Sequence, residues 1–490
     1  MQKYGYFTTL AKKSKTFLEI NENIWAPKKL GDNSYLSNFF HTFVTKKSMT
    51  MKRVSLRFIL TLSVFLFTAC CYRINEGRAS TASETGSRKG YVTLHDGRLW
   101  IDGDEYHFVG ANLWYGAILG SKGQGGDQKR LCHELDALHK MGINNLRISV
   151  GSDGTGLEPY RAAPTLQTSP GVYNDTILAG LDYLLQQMGK RGMKAVLYLN
   201  NSWAWSGGYT FYLKHAGAGI PPDQNDDGYQ AYTAYAAQFS TNKEAQGLFL
   251  QHVRNMVSRT NRYTHKPYTD DPTIMAWQIG NEPRSFSKAG DEEFANWLKQ
   301  TSALIRSIDS HHLISTGSEG IWGCDGNEEL HRHICEDPNI DYVTAHIWPA
   351  NWGWARNDAL AEMLPQACEK TTDYISRHVA LCQQIGKPLV IEEFGYPRDG
   401  LQFSRNATTR SRDGFIQHIL NAVTSNAVIA GCNFWAWGGK AKAKHEIWAP
   451  HDPLMGDPPQ EPQGLYSVFD TDISTRQLLQ EAASKINKSK

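Results

Sequence analysis

Residues 277–287 read WQIGNEPRSFS, and the run Ile274–Ile279 before them is rich in strand formers that stop at Gly280 and deliver Asn281, Glu282 and Pro283. An ionisable carboxylate at the end of an apolar strand needs a reason, and the reason depends on what else arrives at the same end of the same sheet. Working outward from this stretch, short β-rich runs recur at 107–113, 144–150, 194–200, 274–280, 313–318, 342–348, 388–394 and 432–437. Between most of them lie amphipathic helical patterns, at 127–142, 175–192, 244–260, 291–308, 364–386 and 411–426. Their apolar residues recur at three and four, which gives each helix one face to lay on a sheet. Eight such βα units, with no second block of different character and no internal repeat, predict an α/β fold of the (β/α)8 TIM-barrel type with long loops at the C-terminal face. A doubly wound open sheet is the structural alternative, but no Gly-rich phosphate loop follows an early strand.

Charge and targeting signals divide the chain before residue 90. Residues 1–69 carry 11 basic and 3 acidic side chains, which leaves 40 basic and 46 acidic in 70–490, a balance that argues against a nucleic-acid partner. From Met51 a Lys-Arg head, an apolar run Phe58–Phe67 and small residues before a cysteine read as a signal peptide, too short to span a bilayer. Residues 1–50 are then expected to be a mis-started extension, residues 51–70 the signal and residues 90–490 the (β/α)8 domain. The stretch FTAC at 67–70 resembles a bacterial lipobox, which predicts lipidation of Cys70, a polar tether over 71–89 and an exported, membrane-anchored protein, with plain secretion as the alternative. The folded part is expected to be a monomer. It holds six cysteines, among which Cys324 and Cys335 form the expected local disulfide pair if export oxidises the chain.

In a barrel the chemistry sits where strands end. Read off in order, the ends bring Trp114, Arg147, Asn281 with Glu282, His346 with Trp348, Glu393, and Trp435 to one rim. Two carboxyl groups at one rim suit glycosidic-bond cleavage, where one must be protonated and the other ionised. Arg147 is a candidate for holding Glu393 ionised, and desolvation by neighbouring tryptophans for keeping Glu282 protonated. A buried Arg–Glu pair alone would equally suit a structural brace. Ten of the fourteen tryptophans, including Trp203, Trp205, Trp322, Trp352, Trp354 and Trp448, fall at strand ends or in the following loops, where flat faces suit pyranose rings. The stretch HRHIC at 331–335 matches no zinc spacing, and DQNDDG at 223–228 starts like a calcium loop but has Ala234 where its bidentate glutamate belongs. Neither metal nor cofactor is expected.

These residues resemble glycoside hydrolase family 5, and within it the endo-β-1,4-mannanases. The resemblance covers about residues 91–487 and rests on FVGANLWYGAILG, NLRIS, WQIGNEPR, TGSEG, TAHIWPANWGW, VIEEFGYPR, FWAWGG and GDPPQEPQGLYSVFD, in that order. It implies retaining hydrolysis of β-1,4 linkages in mannan, galactomannan or glucomannan, with Glu282 as acid/base and Glu393 as nucleophile. Glu392, next in the strand, should by alternation point the other way. Arg147 is similar to the family arginine that positions the nucleophile, Asn281 to the residue that holds the 2-hydroxyl, and His346 and Trp435 to the residues around the −1 sugar. Arg284, Glu319 and Trp352 match outer or leaving-group-side contacts. The sequence departs from the family at Trp348, where many members place a tyrosine that reaches the nucleophile. The alternatives are another β-glycanase such as an endo-glucanase, an exo-acting mannosidase, or a glycan-binding protein without turnover.

Overall fold

The computed structural model describes residues 89–488. The N-terminal extension, the signal with Cys70 and the tether up to residue 88 lie outside the described residues. Eight strands form one parallel sheet: β1 Phe108–Asn112, β2 Asn145–Ser149, β3 Lys194–Tyr198, β4 Ile274–Gln278, β5 Leu313–Ser315, β6 Val343–Ile347, β7 Leu389–Phe394 and β8 Ile429–Phe434. Every residue of these strands is buried, as expected of parallel strands covered on both faces. Each strand is followed by a helix: α1 Gln128–Lys140, α2 Asp175–Gly189, α3 Lys243–Val257, α4 Asp291–Ile308, α5 Glu328–Cys335, α6 Leu360–Ile385, α7 Arg410–Ser425 and α8 Ile473–Lys488.

Ladders join the strands in the order β5-β4-β3-β2-β1-β8-β7-β6. The remaining seam, between β5 and β6, closes by other hydrogen bonds. Asp341 N–H donates to the Ile314 carbonyl (2.8 Å), Thr344 Oγ1 to the Ser318 carbonyl (2.7 Å) and His346 N–H to the Glu319 carbonyl (3.2 Å). The result is the TIM barrel expected from the sequence.

Three features differ from expectation. First, β8 lies at 429–434 rather than 432–437, because helix α7 stops at Ser425 and Ile429 already pairs with Leu389 at the barrel's foot. Trp435 therefore sits just past the strand, and Trp437–Gly439 pairs separately with Val468–Phe469. Second, α5 and α8 have no counterpart in the sequence reading. Third, an antiparallel meander of Val92–His95, Arg98–Ile101 and Asp104–Glu105 precedes the barrel. Its turns carry Asp96-Gly97 and Asp102-Gly103, all four at positive φ, the Asp-Gly chemistry tight hairpins require. Val92 and Leu99 from this meander pack with Phe108, Val196, Leu313, Tyr342 and Val390 in a separate core cluster that includes residues of six barrel strands.

Two connections are long. Residues 199–242 between β3 and α3 contain helices Tyr209–His215 and Tyr229–Ala236, and residues 435–472 between β8 and α8 fold back over the loop after β1. Among the described residues no helix is long and apolar enough to cross a membrane.

Candidate active site

Arg147, fully buried on β2, is the hub of the rim. Its Nη1 donates to Glu393 Oε1 (2.5 Å) and Asn112 Oδ1 (3.2 Å), its Nε to Gln278 Oε1 (2.7 Å) and its Nη2 to Asn281 Oδ1 (2.8 Å). The guanidinium also lies 4.7 Å over the Tyr198 ring. Burial works against its charge, but the Glu393 and Glu392 carboxylates outweigh burial and hold its pKa above the ordinary value. A planar fork with four of its five N–H groups committed fixes the carboxylate it holds in one orientation.

Glu282 reaches the rim through a local backbone distortion. It has φ +49°, the left-handed region that a non-glycine residue adopts at a cost of roughly 1–3 kcal/mol where surrounding structure imposes it. The imposing contact is visible: Glu282 N–H donates to the carbonyl of Gly317 (2.9 Å). Gly317, itself at φ +76°, has no room for a Cβ, which would stand 1.9 Å from the Gly280 carbonyl. The loop after β5 thus turns the acidic residue after β4 across the barrel mouth.

Glu393 is delivered by an irregularity on β7. Along the β6–β7 ladder Ala345 pairs with Ile391 and His346 with Glu393, so Glu392 is skipped. This bulge corrects the expectation that Glu392 points away from the site. Its carboxylate faces inward, accepting from Gln278 Nε2 (2.7 Å) and the Tyr342 hydroxyl (3.2 Å), with Arg147 Nε at 3.6 Å. Strict alternation fails at a bulge because two residues oppose one. Burial pushes the Glu392 pKa up, with Arg147, Gln278 and Tyr342 pulling against it.

The remaining partners bracket the two carboxylates. His346 Nδ1 lies 3.0 Å from Glu282 Oε1 and 3.4 Å from Glu393 Oε2. Burial lowers the His346 pKa to about 4, with the Glu282 hydrogen bond pulling the other way, so the imidazole is neutral near pH 7. Trp348 Nε1 donates to Glu393 Oε2 at 3.3 Å, so the indole supplies the N–H to the carboxylate that the departure from tyrosine left open. Trp203 Nε1 donates to Glu282 Oε2. One carboxylate oxygen of Glu282, one of Glu393 and a ring nitrogen of His346 all lie within 4.8 Å of one another.

The other expected residues fall around this centre. Asn281 Oδ1 is held by Arg147, and its Nδ2 donates to Asn201 Oδ1 (3.2 Å). Trp435 packs edge-on to Trp348, with ring centroids 5.9 Å apart. Trp114 donates to the carbonyl of Gly456 (2.9 Å) in the long β8–α8 connection and packs edge-on against Trp205. Arg284 Nε donates to Glu319 Oε2 (2.5 Å), and its guanidinium lies 5.6 Å over the Trp203 ring. Burial works against the Arg284 charge, but Glu319 outweighs it and raises the pKa. Trp352 stacks on Trp322 at 4.5 Å and 17°.

Asn112, Gln278 and Glu392 were not singled out as site residues from the sequence, and Trp203 was expected only as one of the flat faces for sugar rings. Asn112 and Gln278 carry a usable signal, since an amide inside an apolar strand buried on both faces must find polar partners. Cys324 and Cys335, the expected disulfide pair, are free thiols; Cys335 Sγ instead lies 3.7 Å from His331 Nδ1. The segment 223–228 closes on itself as a polar turn, Asp223 Oδ1 accepting from the N–H groups of Asn225 and Asp226.

Comparison with known proteins places the chain in a family. The family model described as GH family 5 beta-mannosidase-like matches residues 89–490. A glycoside hydrolase family 5 mannosidase from Rhizomucor miehei is 33% identical, with a TM-score of 0.75 over 81% of this chain and 98% of its own. An endo-1,4-beta-mannanase from the same organism shares the fold at 22% identity and a TM-score of 0.58, over 81% of this chain and 99% of its own. Mannan endo-1,4-beta-mannosidase 1 of Oryza sativa subsp. japonica is 28% identical over 348 residues, 68% of this chain and 75% of its own length. The chain therefore belongs to glycoside hydrolase family 5, among its beta-mannosidase-like members, and is a glycoside hydrolase.

Proposed function

We propose that the protein is a retaining mannanase that hydrolyses internal β-1,4 linkages of mannan, galactomannan or glucomannan by double displacement. The observation that carries the chemistry is the spacing of Glu282 and Glu393, with one oxygen of each within 4.8 Å. Retaining enzymes hold their carboxyl groups about 5–5.5 Å apart, whereas inverting ones leave roughly 6.5–9.5 Å for a water. The mannan assignment is supported by the names of the relatives, mannan endo-1,4-beta-mannosidases at 24–29% identity.

In the first step a Glu393 oxygen attacks the anomeric carbon while Glu282 gives its proton to the departing glycosidic oxygen, leaving a glycosyl ester on Glu393. In the second, the Glu282 carboxylate takes a proton from water, the hydroxide oxygen attacks the anomeric carbon, and Glu393 leaves as carboxylate. Arg147 and the Trp348 indole hold Glu393 ionised and aimed, since hydrogen bonds to the charged form favour it. His346, neutral near pH 7, hydrogen-bonds Glu282 without adding a formal charge.

A second reading, release of sugars from a chain end, is favoured by the beta-mannosidase-like family model, by a mannosidase at 33% identity and TM-score 0.75 against 22% and 0.58 for the endo-mannanase, and by burial at the centre. Trp114, Trp203, Trp205, Trp348 and Trp435 around the centre are only 3–6% exposed, which leaves little open aromatic surface beside the carboxylates. The test is incubation with linear mannan, galactomannan, glucomannan and a soluble cellulose derivative, following product length and, by NMR, the first anomer released. Mixed mannooligosaccharides with β configuration support the first reading, and mannose alone supports the second. First-formed α product would sink the retaining assignment, and release mainly from cellulose would sink the substrate. We further propose export with a lipid anchor at Cys70; a Cys70→Ala protein that still partitions with membranes would overturn it.

A further inference from the structure

Buried arginines in this protein come with a carboxylate. Arg147 pairs with Glu393, Arg284 with Glu319, and Arg398 and Arg412 both with Asp472. Arg161 is the exception among the described residues. It is only 9% exposed, its side chain forms no ion pair or hydrogen bond, and its Nε is buried without an acceptor. A guanidinium taken out of water with nothing to receive its N–H groups carries an uncompensated desolvation cost.

The place of Arg161 is nevertheless fixed. It lies in the loop after β2, where Ala162 N–H donates to the Trp205 carbonyl (2.7 Å), Asp153 N–H to the Ser206 carbonyl (2.9 Å) and Ser152 Oγ to the Ala162 carbonyl (2.8 Å). The first two bonds tie this loop to the one after β3. Between the loops is a cavity of about 40 Å3, lined by Thr155, Glu158 and Arg161 from the first and by Thr210, Lys214 and His215 of helix Tyr209–His215 from the second. That volume is far below the roughly 300–1,000 Å3 of small-molecule sites but above the roughly 10–15 Å3 that one water needs. It suits a compact ion or a single charged group, not a sugar ring.

The carboxylates nearby are committed elsewhere. Asp153, Glu158 and Asp223 all feel the Arg161 charge, yet none forms an ion pair with it. Asp153 Oδ1 accepts from Gln167 Nε2 (2.9 Å), the Glu158 oxygens from the N–H groups of Thr155 and Gly156 (3.0 Å each), and Asp223 Oδ1 from those of Asn225 and Asp226 (2.8 and 3.2 Å). Burial also pushes the Asp153 pKa up to about 7, so its charge is partial near neutrality. Around the cavity the Arg161 and Lys214 cations therefore face one full negative charge, on Glu158. Burial, with Lys214 beside it, lowers the His215 pKa, which leaves a neutral imidazole near pH 7 with one N–H to donate. Two cations and a neutral donor around a small space call for an anion with several acceptor oxygens, the geometry a guanidinium fork matches.

We propose that Arg161 and Lys214 form a binding site for a small oxyanion, a sulfate, phosphate or carboxylate group, that clamps the loop after β2 to the loop after β3. The oxyanion supplies the acceptors Arg161 lacks, and it stabilises the native chain because the unfolded chain has no such site. Its source is a free inorganic ion or the acid group of a uronic sugar, and the choice of ligand separates the two. The full-length parent, Arg161→Gln and the exposed Lys214→Gln are melted in rising sodium sulfate, sodium phosphate or sodium glucuronate, with sodium chloride holding ionic strength constant. The parent Tm should rise saturably, by about 2–4 °C at roughly a hundredfold excess over Kd. Exclusion of sulfate from the surface raises all three proteins alike and without saturation, so only a saturable difference counts. Arg161→Gln should lose that difference, and Lys214→Gln should need about tenfold more ion to reach it. In chloride alone Arg161→Gln should be at least as stable as the parent, since it removes a buried unpaired charge. A saturable response to sulfate or phosphate supports a free ion, and one to glucuronate alone supports a sugar acid. Parallel curves for the parent and Arg161→Gln, or no saturable response in the parent, would overturn the site. If Arg161→Gln does not fold, an unchanged midpoint in Lys214→Gln overturns it instead.

Discussion

The two sides of the rim use tryptophan differently. Around the carboxylates Trp114, Trp203 and Trp348 are buried, and each indole N–H is committed to a protein acceptor: the Gly456 carbonyl, Glu282 and Glu393. On the leaving-group side Trp322, Trp352 and Trp354 stack mainly on one another and remain partly exposed. The first group is fixed by its hydrogen bonds, and the second leaves ring surface open to solvent. On the proposed function, the same residue type would serve chemistry on one side and recognition on the other. Substitutions on the closed side should damage turnover on every substrate, whereas those on the open side should discriminate by chain length.

The largest expected effect lies at the centre of the closed side. Glu393→Ala should fold and lose turnover by about 10⁴-fold or more, the scale of removing a nucleophile. Glu282→Ala should lose about 10²–10⁴-fold on mannan, yet recover much of its first step on a substrate with a strongly acidic phenol as leaving group, which needs no proton. Steady-state and burst kinetics on both substrates check this; equal losses on both for Glu282→Ala would remove it from the acid role.

Next in size is Arg147→Lys. A lysine keeps the charge but has one ammonium where four acceptors now converge, so Glu393, Asn112, Gln278 and Asn281 cannot all keep their geometry. An aim error of this kind is worth about 10²-fold in kcat. Full activity in the lysine variant would mean that charge alone, and not the fork, positions the nucleophile.

How far these residues were legible in sequence follows from their physics. The eight strands and six of the eight helices stand out because burial on two faces, or on one helical face, leaves a periodic trace. Glu282 and Glu393 are legible because each closes an apolar strand. Glu392 was misread because a bulge is set by ladder register between β6 and β7, and nothing in IEEF alone records it. Trp203 was missed as a partner of Glu282 for another reason. It sits four residues past Leu199 in a connection of more than forty residues, where no period fixes direction. The eighth strand was displaced because the apolar residues Val428–Ala430 continue the composition of α7, and only the turn after Asn426 separates them.

A smaller effect tests Trp203 itself. Its indole N–H donates to Glu282, and a donor to a carboxylate favours the ionised form. Trp203→Phe keeps the ring under Arg284 and removes the donor. The protonated acid should then persist to higher alkalinity, moving the alkaline limb of the pH–rate profile upward, with kcat reduced by roughly tenfold, the low end of what one charged hydrogen bond is worth. A limb that stays in place would leave Trp203 a packing residue only.

The smallest effect probes the open side through His378. Its Nε2 accepts from Ile321 N–H and its Nδ1 donates to the Tyr374 carbonyl (2.7 Å), so the ring must stay neutral to hold the loop that carries Trp322. Burial lowers its pKa to about 4, helped by nearby Arg377 and opposed by the Tyr374 bond and Glu328. The adjacent His331 ring, 5.1 Å away, is likewise held neutral by burial. An unfolded histidine titrates near about 6.5, so below that pH the unfolded chain holds a proton that the native chain refuses until about 4. The stability from neutral His378 is therefore complete above about 6.5 and is lost progressively as pH falls toward 4. His378→Gln, which does not titrate, should narrow its stability deficit against the parent as pH falls from about 7.5 to 4.5 across that window. Denaturant melts at each pH measure the gap, and a constant gap would show that His378 is not coupled to protons there. Because the loop it holds belongs to the open side, acid should also weaken the preference for long over short substrates in the parent more than in the variant. A parent whose chain-length preference is flat with pH would separate the stability of that loop from its part in recognition.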